Sequence, residues 1–413
     1  MRTDVIVLGA GIVGVATALH MQARGRAVTL VDRRGPGEET SFGNAGLIER
    51  ASVIPYGFPR GLAALLKYGL NRSTDARYDA AFLPKIAPWL FEYWRHSSPR
   101  RLAEAAAAML PLIERSLSEH LPLMEAAGTT HLLRTTGWIE AYRSERSLAA
   151  GLAEAAALDA YGLAYDALDR RGLAEREPHL SDRLAGAIHW RDPASVSDPG
   201  AVTKGYAALF EARGGRFARG DARSLAPAGD GFTVATAAGP LAARQVVVAL
   251  GPWSVDVLAP LGYRIPLAVK RGYHMHYAPA GNAVLERPVL DADTGFVLAP
   301  MTRGIRLTTG VEFADRDAPA SPIQLERCEP LARELFPLGG RVDPEPWLGR
   351  RPALPDMRPV IGAAPRHKGL WLAFGHAHHG FTLGPVTGRL LAEMMTGSET
   401  VADPAPYSPA RFG

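Results

Sequence analysis

The sequence has very little cysteine: Cys328 is the only one among 413 residues. A single thiol excludes an intramolecular disulfide, a four-cysteine zinc or iron–sulfur site and a two-cysteine redox pair. Its neighbours Leu325, Glu326, Arg327 and Glu329 are typical of a surface helix. We therefore expect Cys328 to be an ordinary thiol on that helix.

Lysine is also scarce, and charge of either sign is close to balance. The net charge is only +4, and the positive charge is carried almost entirely by arginines scattered along the chain. A nucleic-acid-binding protein usually clusters its basic residues. We therefore expect no nucleic-acid partner. The lysines are Lys67, Lys85, Lys204, Lys270 and Lys368.

Long apolar runs are missing as well. No segment approaches the ~20 apolar residues of a membrane-spanning helix, and a strand that begins at residue 4 leaves no room for a secretory apolar region. These features predict a cytoplasmic protein. Residues 82–94 are dense in aromatics and leave two interpretations open. They pack a helical insert on the core, or they contact the membrane surface from the cytoplasmic side.

The length favours more than one hydrophobic core. A chain of 413 residues with 47% hydrophobic and 21% charged residues is an ordinary globular composition. It exceeds what one core usually serves. Two closely joined domains are the natural expectation.

A glycine-rich turn near the start is the strongest motif. Residues 5–8 predict a buried parallel strand, and Gly9, Gly11 and Gly14 follow it at the start of a helix. Glycines there allow a tight turn and close approach of a pyrophosphate, while the helix N-terminus attracts its charge. Asp32, 18 residues after Gly14, ends the next apolar run. Its carboxylate can accept hydrogen bonds from both ribose hydroxyls.

This context favours a dinucleotide site over a purely structural turn. A strand precedes the glycines, a helix follows them, and an acid stands at the expected distance. The carboxylate of Asp32 would repel a 2′-phosphate, so NADP is disfavoured. NAD and FAD both remain open on these residues.

Apolar β segments that end in small-residue turns recur in the middle and at the end of the chain, at residues 245–254 and 369–376. Residues 273–277 and 306–311 read as strands of an open antiparallel sheet. The pattern predicts a discontinuous cofactor domain with a second domain inserted in pieces.

Five ordered motifs resemble the FAD-dependent D-amino-acid oxidoreductases, closest to the bacterial D-amino-acid dehydrogenases, with glycine oxidase and sarcosine oxidase as more distant relatives. The motifs are the turn with Asp32, and residues 40–46, 246–253, 350–362 and 375–380. The resemblance covers essentially the whole chain. It implies a mixed α/β fold: a Rossmann-like FAD-binding domain of the two-dinucleotide-binding-motif type, and a substrate domain on a mixed, largely antiparallel sheet with a helical insert.

The resemblance also implies boundaries and cofactor contacts. We expect residues 1–80, 145–255 and 345–413 to form the FAD-binding domain, and residues 81–144 and 256–344 to form the substrate domain. The residues expected to contact the cofactor are Gly9, Ala10, Gly11, Ile12, Val13, Gly14, Asp32, Arg33, Thr40, Ser41, Asn44, Ala45, Gly46, Leu47, Ala222, Ala249, Gly251, Trp253, Gly380 and Thr382.

The expected catalytic residues are Arg351, His378, His379 and Tyr273. The resemblance implies that Arg351 holds the substrate carboxylate, since a planar guanidinium gives a two-point grip. One of the two adjacent histidines is expected to line the pocket while the other packs elsewhere, and no metal site is expected. For Tyr273, His274 and His276, core packing and a pocket role remain open.

The implied reaction is hydride transfer from a D-amino acid, with a cyclic one such as D-proline or hydroxy-D-proline as one option, to the flavin N5. That chemistry requires no general base. The electrons then pass to a quinone or another acceptor. No cysteine lies in residues 348–362, so the FAD should be non-covalent. Two alternatives remain: an oxygen-using oxidase of the glycine or sarcosine type, and a non-catalytic flavin subunit of a larger complex. The oligomeric state is left open.

Overall fold

The computed structural model describes residues 3–412, which form two large β-sheets, one small sheet and a set of helices. The helices within this range are α1 Ile12–Gln22, α2 Leu62–Gly69, α3 Leu83–His96, α4 Pro99–Glu114, α5 Ser116–Ala126, α6 Glu145–Ala157, α7 Arg170–Arg176, α8 Pro199–Ala212, α9 Ser254–Leu258, α10 Ile323–Leu335 and α11 Gly380–Thr396.

The strands are β1 Val5–Leu8, β2 Val28–Asp32, β3 Leu47–Ile48, β4 Ala76–Tyr78, β5 Leu133–Arg134, β6 Trp138–Tyr142, β7 Tyr165–Asp169, β8 Gly186–Trp190, β9 Ala194–Val196, β10 Arg216–Ala228, β11 Gly231–Thr236, β12 Gly239–Ala243, β13 Gln245–Val248, β14 Ala268–Pro279, β15 Val289–Asp291, β16 Phe296–Met301, β17 Gly304–Thr308, β18 Val311–Phe313, β19 Leu338–Arg341, β20 Trp347–Ala353, β21 Val360–Ala363 and β22 Leu370–Phe374.

The first sheet has eight strands in the order β12-β11-β10-β2-β1-β13-β22-β21. Its centre is parallel, with β1 between β2 and β13. Strand β1 is apolar throughout because it is buried on both faces, as parallel strands between helix layers are. Helices α1 and α11 pack against each other, so the two ends of the chain meet on one face of this sheet. The mixed α/β fold is confirmed.

The second sheet is mixed and has eleven strands. Strand β14 is its hub, since β17, β18, β19 and β20 all pair with it in antiparallel register. One face of β14 buries Tyr273, Met275 and Tyr277 in a second hydrophobic core. The opposite face faces the first sheet and carries polar residues instead.

Helix α10 contains Cys328 as predicted, but the expected surface position is wrong. The thiol is fully buried in the second core, and burial raises its pKa to about 12. Arg327 and Glu326 lie on the outer side of a helix whose apolar stripe faces the sheet. The short sequence window around Cys328 showed only the charged side.

The strand assignment within residues 145–255 differs from the sequence-based division. Strands β7 and β8 belong to this stretch, which the division places with the cofactor domain. In the structure β8 pairs with β6 and β7 pairs with β8, so both lie in the second sheet. Strand β8 is buried on both faces, as the central strands of the first sheet are. The hydrophobic periodicity of the sequence therefore does not show to which of the two sheets β8 belongs. The other boundaries stay a proposal.

The aromatic segment 82–94 lies mostly in α3, which packs over the second sheet. Ile86, Trp89 and Tyr93 are buried in a small cluster with Ala353, which agrees with the packing interpretation. Phe91 stays 57% exposed. Among the helices of residues 3–412, none combines the length and the apolar character needed to cross a membrane.

Candidate functional site

A cavity of about 1170 Å³ runs between the two large sheets and draws together residues from both ends and the middle of the chain. All four predicted catalytic residues line it. The predicted cofactor residues that also line it are Gly9, Gly11, Ile12, Val13, Asp32, Arg33, Thr40, Ser41, Asn44, Ala45, Leu47, Ala222, Ala249, Gly251, Trp253, Gly380 and Thr382.

The glycine turn needs glycine at two positions for steric reasons. Gly9 has φ +107°, and a Cβ there would collide with the carbonyl of Ala249. A Cβ at Gly14 would collide with the carbonyl of Gly9. Gly14, together with Ala10 and Gly46, lies outside the lining of the cavity. These three residues therefore shape the turn and the loop rather than face the cavity.

The N-terminus of α1 is open toward the cavity. Gly11 is its N-cap and offers no side chain to cap the first turn, while the Ile12 N–H donates to the Ser41 hydroxyl at 3.0 Å. Unpaired N–H groups and the helix dipole suit a phosphate at this point. The turn therefore has the form that a pyrophosphate requires.

Asp32 fixes the same turn from the second strand. Its carboxylate accepts the N–H of Ala10 at 2.7 Å and the N–H of Arg34 at 3.0 Å. Burial raises its pKa above the ordinary value. Asp32 also lines the cavity, where ribose hydroxyls can donate hydrogen bonds to its carboxylate oxygens.

The loop at residues 40–47 is held by the second sheet. Arg306 on β17 donates to the backbone carbonyls of Phe42 and Asn44, and the Asn44 side chain accepts the N–H of Gly46 at 2.8 Å. The Thr382 hydroxyl at the start of α11 donates to the carbonyl of Leu47 at 3.1 Å. The sequence analysis missed Arg306, because a lone arginine in a strand carries no local signal.

Arg351 enters the cavity from β20 without a carboxylate partner. Its guanidinium donates to the carbonyls of Gly310 at 2.8 Å and Thr309 at 3.2 Å. Gly272 on β14 leaves room for the side chain to cross the sheet. Burial lowers the pKa of Arg351 to about 10, and it remains a cation near neutral pH. Its remaining N–H groups can bind an anion.

The neighbouring arginines are engaged elsewhere. Arg350 donates to the carbonyl of Arg316 at 3.0 Å, and Arg358 pairs with Asp356 at 3.1 Å. Arg350 and Arg351 both line the cavity with backbone carbonyls as hydrogen-bond partners, but the Arg350 guanidinium also lies over the Trp253 ring, 6.0 Å from its centroid. The placement of Arg351 agrees with its predicted role.

His378 and His379 both face the cavity, unlike the expectation that one of them packs elsewhere. Ala377–His379 is a 3₁₀ turn, which brings the two ring centroids to 3.9 Å; only an extended chain would separate them. His378 Nε2 and His379 Nδ1 have no protein partner. Burial lowers the pKa of His379 to about 4, so the ring is neutral at pH 7.

Glu49 approaches the same histidines from another part of the chain. Potential ligand atoms of Glu49, His378 and His379 lie within 4.8 Å of one another. Burial raises the pKa of Glu49 to about 7. All three residues line the same cavity as the glycine turn. The unpartnered ring nitrogens of His378 and His379 are therefore available to a bound cofactor or substrate.

The hydroxyl of Tyr273 is occupied by other groups of the protein. Its hydroxyl donates to Glu312 at 2.9 Å and accepts from Arg271 at 2.8 Å and from the N–H of Ser321 at 2.7 Å. These partners lie in the buried core behind the sheet. Alternation along β14 directs the Tyr273 ring there and directs its neighbours to the opposite face.

His274 and His276 lie on the face toward the first sheet. The His274 ring stacks on Trp347 with centroids 4.8 Å apart. His276 is bound by Asp343 at 2.6 Å and accepts from Arg306 at 3.0 Å. His276 therefore supports Arg306, and through Arg306 the loop at residues 40–47.

Comparison with known proteins agrees with this geometry. The family described as "FAD dependent oxidoreductase" matches residues 4–394. A "D-amino-acid oxidase" of Bradyrhizobium diazoefficiens is 30% identical over 426 residues, covering 99% of this chain and 98% of that protein. A "D-amino acid dehydrogenase" of Granulibacter bethesdensis is 30% identical over 427 residues, covering 99% of each.

Two solved structures share the fold. Glycine oxidase from Geobacillus kaustophilus has a TM-score of 0.75 at 22% identity and 99% coverage of both chains. L-Proline dehydrogenase from P. horikoshii has a TM-score of 0.74 at 18% identity, covering 100% of this chain and 98% of that one. At these identities the likeness concerns the fold alone.

Proposed function

We propose that this chain, which belongs to the family of FAD-dependent oxidoreductases, is a D-amino-acid dehydrogenase. The observation that carries the proposal is Arg351: a guanidinium that faces a large cavity and has only backbone carbonyls as partners. A carboxylate ligand would neutralise it with two parallel hydrogen bonds. The full-length relatives named for D-amino acids support that class of ligand.

The residues present fit FAD. The glycine turn and the α1 N-terminus would hold the pyrophosphate, Asp32 the ribose, and the loop at residues 40–47 the flavin. Trp253 lies beneath the Arg33 guanidinium, 4.4 Å from it, at the cavity wall. The only thiol, Cys328, is enclosed in the second core behind the sheet, which supports non-covalent binding. FAD supplies the hydride acceptor when bound.

The protein's own residues then bind and orient. Arg351 would hold the α-carboxylate at two points and so fix the direction of the Cα–H bond. The aromatic cluster around Trp89 and Tyr93 would exclude water from the reacting centre. The product is an imino acid, which water hydrolyses to a 2-oxo acid if the imine is acyclic.

The substrate and the electron acceptor are finer parts of the proposal. A cyclic D-amino acid such as D-proline or hydroxy-D-proline is one candidate substrate, and a quinone is the candidate acceptor. A second candidate function is a D-amino-acid oxidase that uses oxygen as the electron acceptor, and the relative named as an oxidase supports it. Phe91 and Trp94 are partly exposed. The proposal therefore includes contact of these side chains with a membrane surface, where quinones reside.

Anaerobic mixing of the purified yellow protein with panels of D- and L-amino acids tests the activity. We expect bleaching of the flavin absorbance with D-amino acids and reoxidation by a quinone analogue faster than by air-saturated buffer. If no amino acid bleaches the flavin, the proposed activity is wrong and the protein is a non-catalytic flavin subunit. Equal rates with oxygen and the analogue would assign an oxidase. Acid precipitation should release the yellow colour into the supernatant.

A further inference from the structure

Lys270 is a half-buried lysine that none of the roles above uses. It lies on β14 directly opposite Arg351 on β20, and both side chains line the cavity. Like charges directly opposite each other in a ladder destabilise a sheet. Enclosure among apolar groups increases that cost. Packing alone gives no reason for a lysine at this position.

The surroundings of Lys270 contain no acid that would balance a charge. Across residues 3–412, no carboxylate forms an ion pair with it. Its Nζ donates to the Tyr93 hydroxyl oxygen at 2.9 Å, while the hydroxyl hydrogen of Tyr93 goes to the carbonyl of Tyr56. The Tyr93 ring lies 4.0 Å from Nζ and the Trp89 ring 5.7 Å. A neutral amine held in this way keeps its lone pair free.

We propose that Lys270 accepts the proton that the substrate's ammonium group must lose before hydride can leave its Cα. The inference rests on the proposed function and deepens it. An amino acid in water carries an ammonium group, and an ammonium nitrogen has no lone pair with which to form the C=N bond. Arg351 would place the carboxylate, and the amino group, two bonds from the carboxylate carbon, would then lie in the part of the cavity that Arg351 and its strand partner Lys270 both line.

The proposed step balances as follows. An N–H bond of the ammonium breaks, and its proton bonds to the lone pair of Lys270 Nζ. The Cα–H bond then breaks with its electron pair passing to the bound FAD, and the nitrogen lone pair forms the C=N bond. The product leaves as an iminium ion. The Lys270 ammonium returns its proton to water after the product has left.

The electrostatics support this role. Burial, and then the charge of Arg351, lower the pKa of Lys270 to about 7. The other titratable groups facing it are Tyr93 from α3 and His378 from the turn before α11. Burial raises the pKa of Tyr93 and lowers that of His378, so both stay neutral. Arg351 is therefore the charged neighbour that adds to the effect of burial, and a substantial share of Lys270 is a neutral amine near neutral pH.

The first test is the pH dependence of kcat/KM for flavin reduction by the best D-amino acid. In the wild type it should rise with pH through an inflection near 7. Lys270→Met should lower kcat/KM at pH 7 by about 100-fold or more and move the inflection at least one pH unit upward, because the substrate must then arrive as the free amine. Lys85→Met, at a side chain 72% exposed, should change neither.

A Lys270→Arg variant separates a base from a cation that binds an anion. Arginine keeps the charge but does not accept a proton at these pH values. It should therefore share the shifted profile of Lys270→Met. Recovery of wild-type rate and profile by Lys270→Arg would overturn the proposal and assign Lys270 to anion binding instead.

A second readout does not depend on turnover. Reductive methylation with ¹³C-formaldehyde labels the five lysines of the chain, and NMR of the FAD-bound protein reports their titration. The signal lost in Lys270→Met should titrate near pH 7. Titration of the Lys270 signal above pH 9 would refute the proposal. Absence of flavin reduction by all amino acids, with Lys270 titrating near 7, would instead refute the proposed function.

Discussion

The indole ring of Trp347 on β20 occupies the space that a side chain at Gly43 would need. Gly43 belongs to the loop at residues 40–47, and Trp347 belongs to the second sheet, so the two large units meet at this point. Trp347 also stacks on His274, which limits how far it can move. The absence of a Cβ at residue 43 therefore sets the distance between the loop and the sheet.

Gly43→Ala should weaken FAD binding. The added methyl group would push the loop away from the cavity, and overpacking of this kind costs about 1–3 kcal/mol. The measurement is the FAD-to-protein ratio after extensive dialysis. Gly340→Ala is the control, since a Cβ there meets no atom within 4 Å. Equal flavin retention in all three proteins would show that the loop does not hold the cofactor.

Asp32→Ala should raise the dissociation constant for FAD by roughly 10- to 100-fold. The loss corresponds to charge-assisted hydrogen bonds of about 1.5–3 kcal/mol. Fluorescence titration of the flavin-free protein with FAD measures it. Asp4→Ala serves as the control, because Asp4 accepts from the Ala27 N–H at the far end of the same strand pair. An unchanged dissociation constant in Asp32→Ala would refute the ribose assignment.

Arg351→Lys should lower both affinity and the rate of flavin reduction, because lysine keeps the charge but loses the planar two-point grip. Arg351→Met should lower kcat/KM further, by about 2–5 kcal/mol in apparent transition-state binding. The FAD content should stay near that of the wild type in both variants. Arg171→Met, at a side chain 88% exposed, is the control. Near-normal activity in Arg351→Met would remove Arg351 from the substrate site.

Tyr273→Phe distinguishes a structural from a catalytic tyrosine. The variant removes one of the partners of Glu312 and leaves the Ser321 N–H without its acceptor, so the free energy of unfolding should fall by about 1–3 kcal/mol. Urea denaturation measures this change. Steady-state kcat/KM should remain near the wild-type value. A large loss of kcat/KM at unchanged stability would return Tyr273 to the catalytic group.

Glu49→Gln should stabilise the protein at alkaline pH and leave it unchanged near pH 4.5. Burial raises the folded-state pKa of Glu49 from 4.5 to about 7, so the folded state binds the proton more tightly than the unfolded state. Wild-type stability is then lost as pH rises from 4.5 to 7, by on the order of 3 kcal/mol. Melting temperatures at pH 4.5 and pH 8 test this. The exposed Glu175→Gln should show no such difference.

The sequence predicted the parts of the site that depend on local patterns. The glycine turn, Asp32 and the loop at residues 40–46 carry their signal within a few residues, and the structure brings them to one cavity. Lys270 has no such local signal, because its proposed role depends on its pairing with Arg351, which lies 81 residues later in the chain. Strand register is set by tertiary packing and cannot be read from a single chain.

Conformation decided the other differences. The adjacent histidines face the same space because residues 377–379 turn, and a backbone turn of three residues is weakly encoded in sequence. Cys328 is buried because it lies on the apolar side of α10, whereas its charged neighbours Glu326 and Arg327 are typical of a surface helix. Strands β7 and β8 joined the second sheet because pairing partners, rather than order along the chain, decide sheet membership.

The order of strands in the first sheet has a consequence for biosynthesis. Strand β1 pairs with β13 some 240 residues later, and β13 pairs with β22 near the end of the chain. Contacts this distant form late, because long loops must close first. While the ribosome is still producing residues 370–396, β13 lacks its neighbour β22 and α1 lacks the helix that packs on it. Capture of the coenzyme should therefore follow, rather than accompany, translation.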